Sequence, residues 1–300
     1  MTNPDKNYVI TPEAAQTAGA VSYWRAAGSI SIKALHDAWV AAGLDPALIR
    51  KAPEPETALR RAVLDLAERK HVSDTTEVRV LIRPCKEQHE WAVVEETAVK
   101  GKAPTYRTVA IVRFAAGQPA VADVSATAQE HDSILARIAN GFTAQQGLFD
   151  PADITGWLVK LAYANGAVTL RDSGGVYFIP RSATEFWTKA ANVIETVSGQ
   201  AHRIFRIPAM KNTEAVEAII AAVTTEAEQV ATEIDAEVAK GVGPRALEAR
   251  KAAADALLAK VASYEELVGQ QIAVRERVEA LRASLAQVAL AAMFSSEAAA

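Results

Sequence analysis

The stretch "RDSGGVYFIP", Arg171 to Pro180, sets a serine and two glycines after Arg171, and Arg181 follows it. Those residue types could cradle a phosphate or present a nucleophile. A Walker loop, however, requires two glycines five apart, then Lys and Ser or Thr at a helix start. A dinucleotide fingerprint requires G-x-G-x-x-G, again entering a helix. "DSGG" fits neither, and the "VYFIP" that follows reads as a strand. Ser173 also lacks the G-x-S-x-G elbow. The stretch therefore reads as a hairpin turn, where glycine supplies the positive φ of a tight reversal. Placed after a helix, the same hairpin would also serve as the wing of a winged-helix fold, with Arg171 near its tip and Arg181 near its base.

The other reactive residues are scattered. His36, His71, His89, His131 and His202 form no H-E-x-x-H or H-x-H motif. "CKEQHE" sets Cys85 and His89 four apart, a metal-ligand spacing on a helix, but this segment reads as a turn between strands. "EHD" at Glu130 to Asp132 opens a helix, where acidic residues suit the helix dipole without catalysis. Cys85 is the only cysteine, so no disulfide framework and no cysteine-type zinc site forms within one chain. No catalytic residue, cofactor or metal site is assigned.

A basic and aromatic set does stand out: Arg171, Tyr177, Phe178, Arg181, Trp187, His202, Arg203, Phe205 and Arg206. Alternation along "HRIFRI" puts His202, Ile204 and Arg206 on one face and Arg203, Phe205 and Ile207 on the other. Arginine beside aromatics is how single-stranded nucleic acid is held. It is also how an amphipathic strand covers a core edge. The candidate nucleic-acid residues are Arg171, Arg181, Arg203, Arg206, Tyr177 and Phe205.

The elements that must position these residues give an α+β fold. A helical N-terminal unit occupies 1–75. "SYWRAAG" reads as helical, followed by a helix over "SISIKALHDAWVAAGL" and another over "ETALRRAVLDLAERK". Helix, turn, helix, strand is compatible with a winged helix or with any small helical cap. The body, 76–211, opens with "EVRVLIRPC", "EWAVVEETAV", "YRTVAIVRF" and "QPAVADVSA", an antiparallel meander of roughly four strands. Helices at "AQEHDSILARIANGFTAQQG" and "DPADITGWLVKLAYANG" follow, then the glycine hairpin, a helix capped at Ser182, and the strand "AHRIFRIPA".

From 212 to 300 the pattern is a helical hairpin with coiled-coil character. One helix ends at "KGVGP". A second, with a seam of Leu257, Val261, Tyr264, Val268, Val278, Leu281, Leu285 and Val288, would reach about 70 Å at about 1.5 Å per residue. The seam slips between Gln271 and Arg277. Because the second helix outruns the first, its apolar overhang must be covered. A homo-oligomer would do so. The alternatives are a helix folded back on its own domain or broken near Gly269.

Half of the 300 residues are hydrophobic and the net charge is −4, an ordinary folded composition without a chain-wide basic footprint. No stretch reads as a signal peptide or a membrane span, so the expected location is cytoplasmic. The set "SYWRAAGSI", "ALHDAWVAAGL", "PETALRRAV", "LRDSGGVYFIP" and the long helical tail resembles an uncharacterised family of bacterial and phage-type proteins of unknown function. The resemblance covers most of the chain. It implies a bacterial or viral setting and carries no activity or site residues. The reading is a non-enzymatic, self-assembling scaffold or interaction protein, oligomerising through its C-terminal helices. One alternative is a DNA- or RNA-binding protein using a winged-helix-like part and the Arg/aromatic strand. Another is an enzyme without a local motif.

Overall fold

Val21, Tyr23 and Trp24 favour extended chain, and the segment that carries them is a strand, β1 (Thr17–Arg25), not the helix expected over "SYWRAAG". The structure, a computed structural model, describes residues 17–87, 89–171 and 174–297. The first sixteen residues, and Asp172 and Ser173 of the glycine turn, lie outside the described residues. After β1 come β2 (Ile30–Ser31), α1 (Ile32–Ala41), α2 (Pro55–Leu64), β3 (Glu68–Ser73), β4 (Thr76–Pro84), β5 (Glu90–Val99), β6 (Thr105–Ala115) and β7 (Gln118–Asp123). The chain continues through α3 (Ala128–Gln146), β8 (Leu148–Phe149), α4 (Pro151–Ala164), β9 (Val168–Thr169), β10 (Tyr177–Pro180), α5 (Thr184–Val197) and β11 (Arg203–Met210). It ends in α6 (Thr213–Ala239), α7 (Pro244–Val268) and α8 (Val274–Glu297). The fold is α+β, with antiparallel sheets throughout. Two compact units divide the chain: Ala27–Ile154, and Thr155–Ala300 together with the residues up to Ala26.

In the 27–154 unit, β3 to β7 form a meander in sequence order, curled as a half-barrel. It has five strands, because "ERKHVS" is β3 rather than the end of α2. The buried row Ala58, Leu59, Ala62 and Val63 stops with α2 at Leu64, and the charged residues that follow suit an edge strand. Thus α2 and α3 cover the core face, with Trp91, Val93, Val112, Ile138 and Phe142 between helices and sheet. Helix α2 packs along α3, not as one arm of a helix-turn-helix with α1, so the winged-helix expectation does not hold for α1 and α2. Beside this core Arg61 pairs with Asp150 at 2.9 Å and Asp153 at 2.8 Å, and Arg50 pairs with Asp153 at 2.8 Å.

In the second unit the sheet order is β11-β1-β10-β9. The glycine hairpin is present: Tyr177 pairs with Thr169 and Phe178 with Val168. Its partner β1 comes so close that a Cβ at Gly19 would lie 2.1 Å from the Ile179 carbonyl oxygen. One face of the sheet meets α5, where Trp187 Nε1 donates to Ser22 Oγ at 2.9 Å. The other packs Ala18, Val168, Phe178 and Ala209 against α6 and α7.

The expected 70 Å helix is two helices. Gly269 caps α7 in the left-handed conformation, φ 81°. The chain then turns through Ile272, whose N–H donates to Glu265 Oε1, and Arg275 closes the elbow on the same carboxylate. The seam slip at Gln271 to Arg277 is the sequence trace of this reversal. Helices α6, α7 and α8 therefore form a three-helix bundle. Leu257, Val261, Tyr264, Val268, Val278, Leu281 and Leu285 are buried inside it, while Val288 is 37% exposed. Up to Leu285 the seam finds its cover within the chain; Val288 and Leu290 beyond it stay exposed.

Gly269→Ala separates the elbow from a continuous helix by sign. At an elbow the left-handed residue costs alanine about 1 kcal/mol or more. Inside a continuous helix the same change would stabilise by about 1 kcal/mol. A lowered urea midpoint is expected; a raised one would overturn the elbow.

Candidate nucleic-acid interface

Among the described residues strand β11 is an edge of its sheet, with β1 as its strand neighbour. The register sets Arg25 opposite Arg203, Tyr23 opposite Phe205 and Val21 opposite Ile207. Strand periodicity then puts all six on one face, the one that α6 and α7 cover at Val21 and that is exposed at Tyr23, Phe205 and Ile207. Tyr23 and Phe205 stack with ring centroids 4.7 Å apart and planes 15° apart. They are 37% and 39% exposed, and Ile207 is 52% exposed. The two rings stack on each other and stay partly exposed, so part of their aromatic surface is free for a further flat ring.

Two arginines face each other on the next same-face rung, two residues along from the pair. Arg25 is exposed and makes no ion pair among the described residues. Arg203 donates to Gln200 Oε1 at 2.9 Å and lies 3.8 Å from Glu195. Like charges directly opposite on a ladder repel, so this arrangement favours an added anion.

The inward face of β11 fixes the platform. His202 and Ile204 are buried. Arg206 turns back onto α5, donating to Asn192 Oδ1 at 2.8 Å, the Thr188 carbonyl at 3.2 Å and Glu195 Oε2 at 3.2 Å. Glu195 also accepts from the Ile204 N–H at 2.8 Å. Ser22 Oγ donates to the Phe205 carbonyl at 2.9 Å while accepting from Trp187. The backbone beneath the aromatic pair is thus tied to α5 from both strands. Arg203 and Arg206 both lie near Glu195, so one carboxylate faces two guanidinium groups.

The residues singled out from the sequence divide accordingly. Arg203 and Phe205 share the exposed platform. Arg206 sits beneath it as a strut. Tyr177 is buried between Trp24, stacked at 4.9 Å, and Tyr163, edge-on at 5.9 Å, so it offers no ring to a base. Arg171 follows β9 at the same end of the sheet as Arg25 and is exposed. Arg181 follows Pro180, which pairs with Gly19, so it stands roughly 20 Å along β1 from Arg25 at about 3.3 Å per residue. Sequence reasoning missed Tyr23 and Arg25 because their segment reads as helix; once β1 is a strand, the "YWR" alternation yields both.

No helix of the described residues is long and apolar enough to cross a membrane. Among the described residues no group of three or more His, Cys, Asp or Glu is placed to hold a metal ion. The model of a family of unknown function, DUF6744, matches residues 19–294. No curated protein and no solved structure matches the chain.

Proposed function

The chain belongs to the DUF6744 family, and from that premise, which carries no activity, we propose that it is a non-enzymatic protein that holds single-stranded nucleic acid on the β1–β11 face. The observation that carries the reading is the exposed, stacked Tyr23–Phe205 pair beside the cross-strand arginines Arg25 and Arg203, one same-face rung along the ladder. Aromatic faces take bases of any sequence, and arginines follow the phosphates. The platform offers no nucleophile and no acid–base pair. Its setting is the cytoplasm, where a lone unpaired thiol such as Cys85 is usual. Self-assembly through the C-terminal seam is the weaker reading, since those side chains already have partners in their own bundle.

The test is fluorescence anisotropy of the whole chain with labelled oligothymidylate and oligouridylate of about 12 nucleotides, and with a duplex of equal length. Single strands should bind more tightly than the duplex. Arg25→Gln with Arg203→Gln should make the slope of log K against log salt shallower by about 1.4, or about 0.7 for each phosphate no longer neutralised. No single-strand binding at low salt, or an unchanged slope, would remove the proposal.

A further inference from the structure

The half-barrel of the 27–154 unit is not filled along its whole length. A cavity of 340 Å³ lies under the first turns of α3. Its apolar lining is Leu66, Val80, Val93, Val109 and Ile134. That volume is in the range of small-molecule sites. The opening has a local cause. The β5–β6 register jumps from Val93↔Ala110 to Val94↔Thr108, which leaves Val109 as a bulge. A bulge bends its strand and re-aims the side chain, and the buried Val109 side chain lines the cavity.

The polar end of the cavity has an unusual composition for the core face of a sheet. Along β5, Trp91, Val93 and Glu95 fall on one face by strand periodicity, so a carboxylate ends an apolar row. Its cross-strand partner is Arg107. That guanidinium is engaged mainly elsewhere: it lies 2.7 Å from Glu130 Oε1 and 3.4 Å from Glu95 Oε2, and it donates to the Ser125 carbonyl. Arg107, with help from the Thr127 N–H, holds the Glu130 carboxyl at about 2. Two carboxylates thus share one arginine, and Glu95 has the longer and weaker contact. Arg137, also in the lining, lies 3.5 Å from Glu68.

We infer that this cavity binds a small amphipathic cation, its apolar body against Val80, Val93, Val109 and Ile134 and its ammonium head on the Glu95 carboxylate. An anionic head would meet Glu95 and Glu130, with Arg107 already claimed and Arg137 drawn to Glu68. A neutral head would leave the Glu95 charge with its single long contact. A primary ammonium supplies donors to the carboxylate oxygens that Arg107 does not reach.

The experiment is calorimetric titration of the full chain with n-hexylamine, n-octylamine, octanoate and octanol. Octylamine should bind more tightly than hexylamine by about fourfold per added methylene, and octanoate about tenfold or more weakly than octylamine. Glu95→Gln should bring octylamine down to the affinity of octanol. Ser133→Trp, an exposed helix position on the rim, should abolish binding of all four while the circular dichroism is unchanged. No binding of octylamine to the wild type would overturn the site. Equal affinity for octylamine and octanoate, or an unaffected Glu95→Gln, would overturn the cationic ligand.

Discussion

Lys260→Met should lower the stability of the unit that holds it by about 3 kcal/mol, the low end for removing one partner of a buried ion pair. Lys260 lies on α7 between seam positions, with its side chain only 17% exposed. Its ammonium donates to Glu226 Oε1 on α6 at 2.5 Å and to the Ala167 carbonyl at 2.8 Å, and it sits 5.5 Å from the centre of the Tyr163 ring. Glu226 is 19% exposed, and its Oε2 is buried without a hydrogen bond. Methionine fills the space of the lysine stem but leaves that carboxylate alone. Glu226→Gln combined with Lys260→Met should therefore recover most of the loss, because replacing both members of such a pair is often close to neutral. Urea denaturation of the two variants decides it. A single variant within about 1 kcal/mol of wild type, or a double variant no better than the single, would show that the pair does not act as a unit.

This pair is not legible in the sequence, and the reason is general to the chain. "LLAKVASY" presents Lys260 beside Leu257, Val261 and Tyr264. One helix viewed alone allows a lysine there as a solvated flank. What makes it internal is Ala167 and Glu226, residues 93 and 34 positions away. The same distance hides β1. Its partners β10 and β11 lie near residues 180 and 205, so no turn chemistry marks the pairing, and Ala26, Ala27 and Gly28 after it blur the alternation. Where partners are close in sequence the pattern is readable. The β4–β7 meander, the glycine hairpin and the alternation of "HRIFRI" all follow from local periodicity, whereas the expected Ser182 cap is not formed, since Ala183 precedes α5 without a side-chain cap bond. Seven of the eight C-terminal seam positions, all but Val288, are buried. The seam leaves open whether a second chain or a fold-back covers them, since a heptad seam specifies an apolar face and not its owner.

Tyr23→Ala with Phe205→Ala should weaken single-strand binding by about 4 kcal/mol, close to a thousandfold, at about 2 kcal/mol for each base stack removed. Both rings are more than a third exposed and lie toward the open edge of the sheet, so the fold should survive their removal. Tyr23→Phe and Phe205→Tyr keep a ring on each strand and should stay within a few-fold of wild type. The salt slope of the double alanine variant should match wild type, because the arginines still neutralise the same phosphates. This orthogonality distinguishes the platform from general cationic stickiness: arginine variants change the slope, and ring variants change the intercept. Anisotropy across a salt series reads both numbers from one experiment. A loss below about tenfold in the double alanine variant would mean that the rings serve the sheet edge and not a base. The exposed Arg25 and Arg203 would then need another anionic partner.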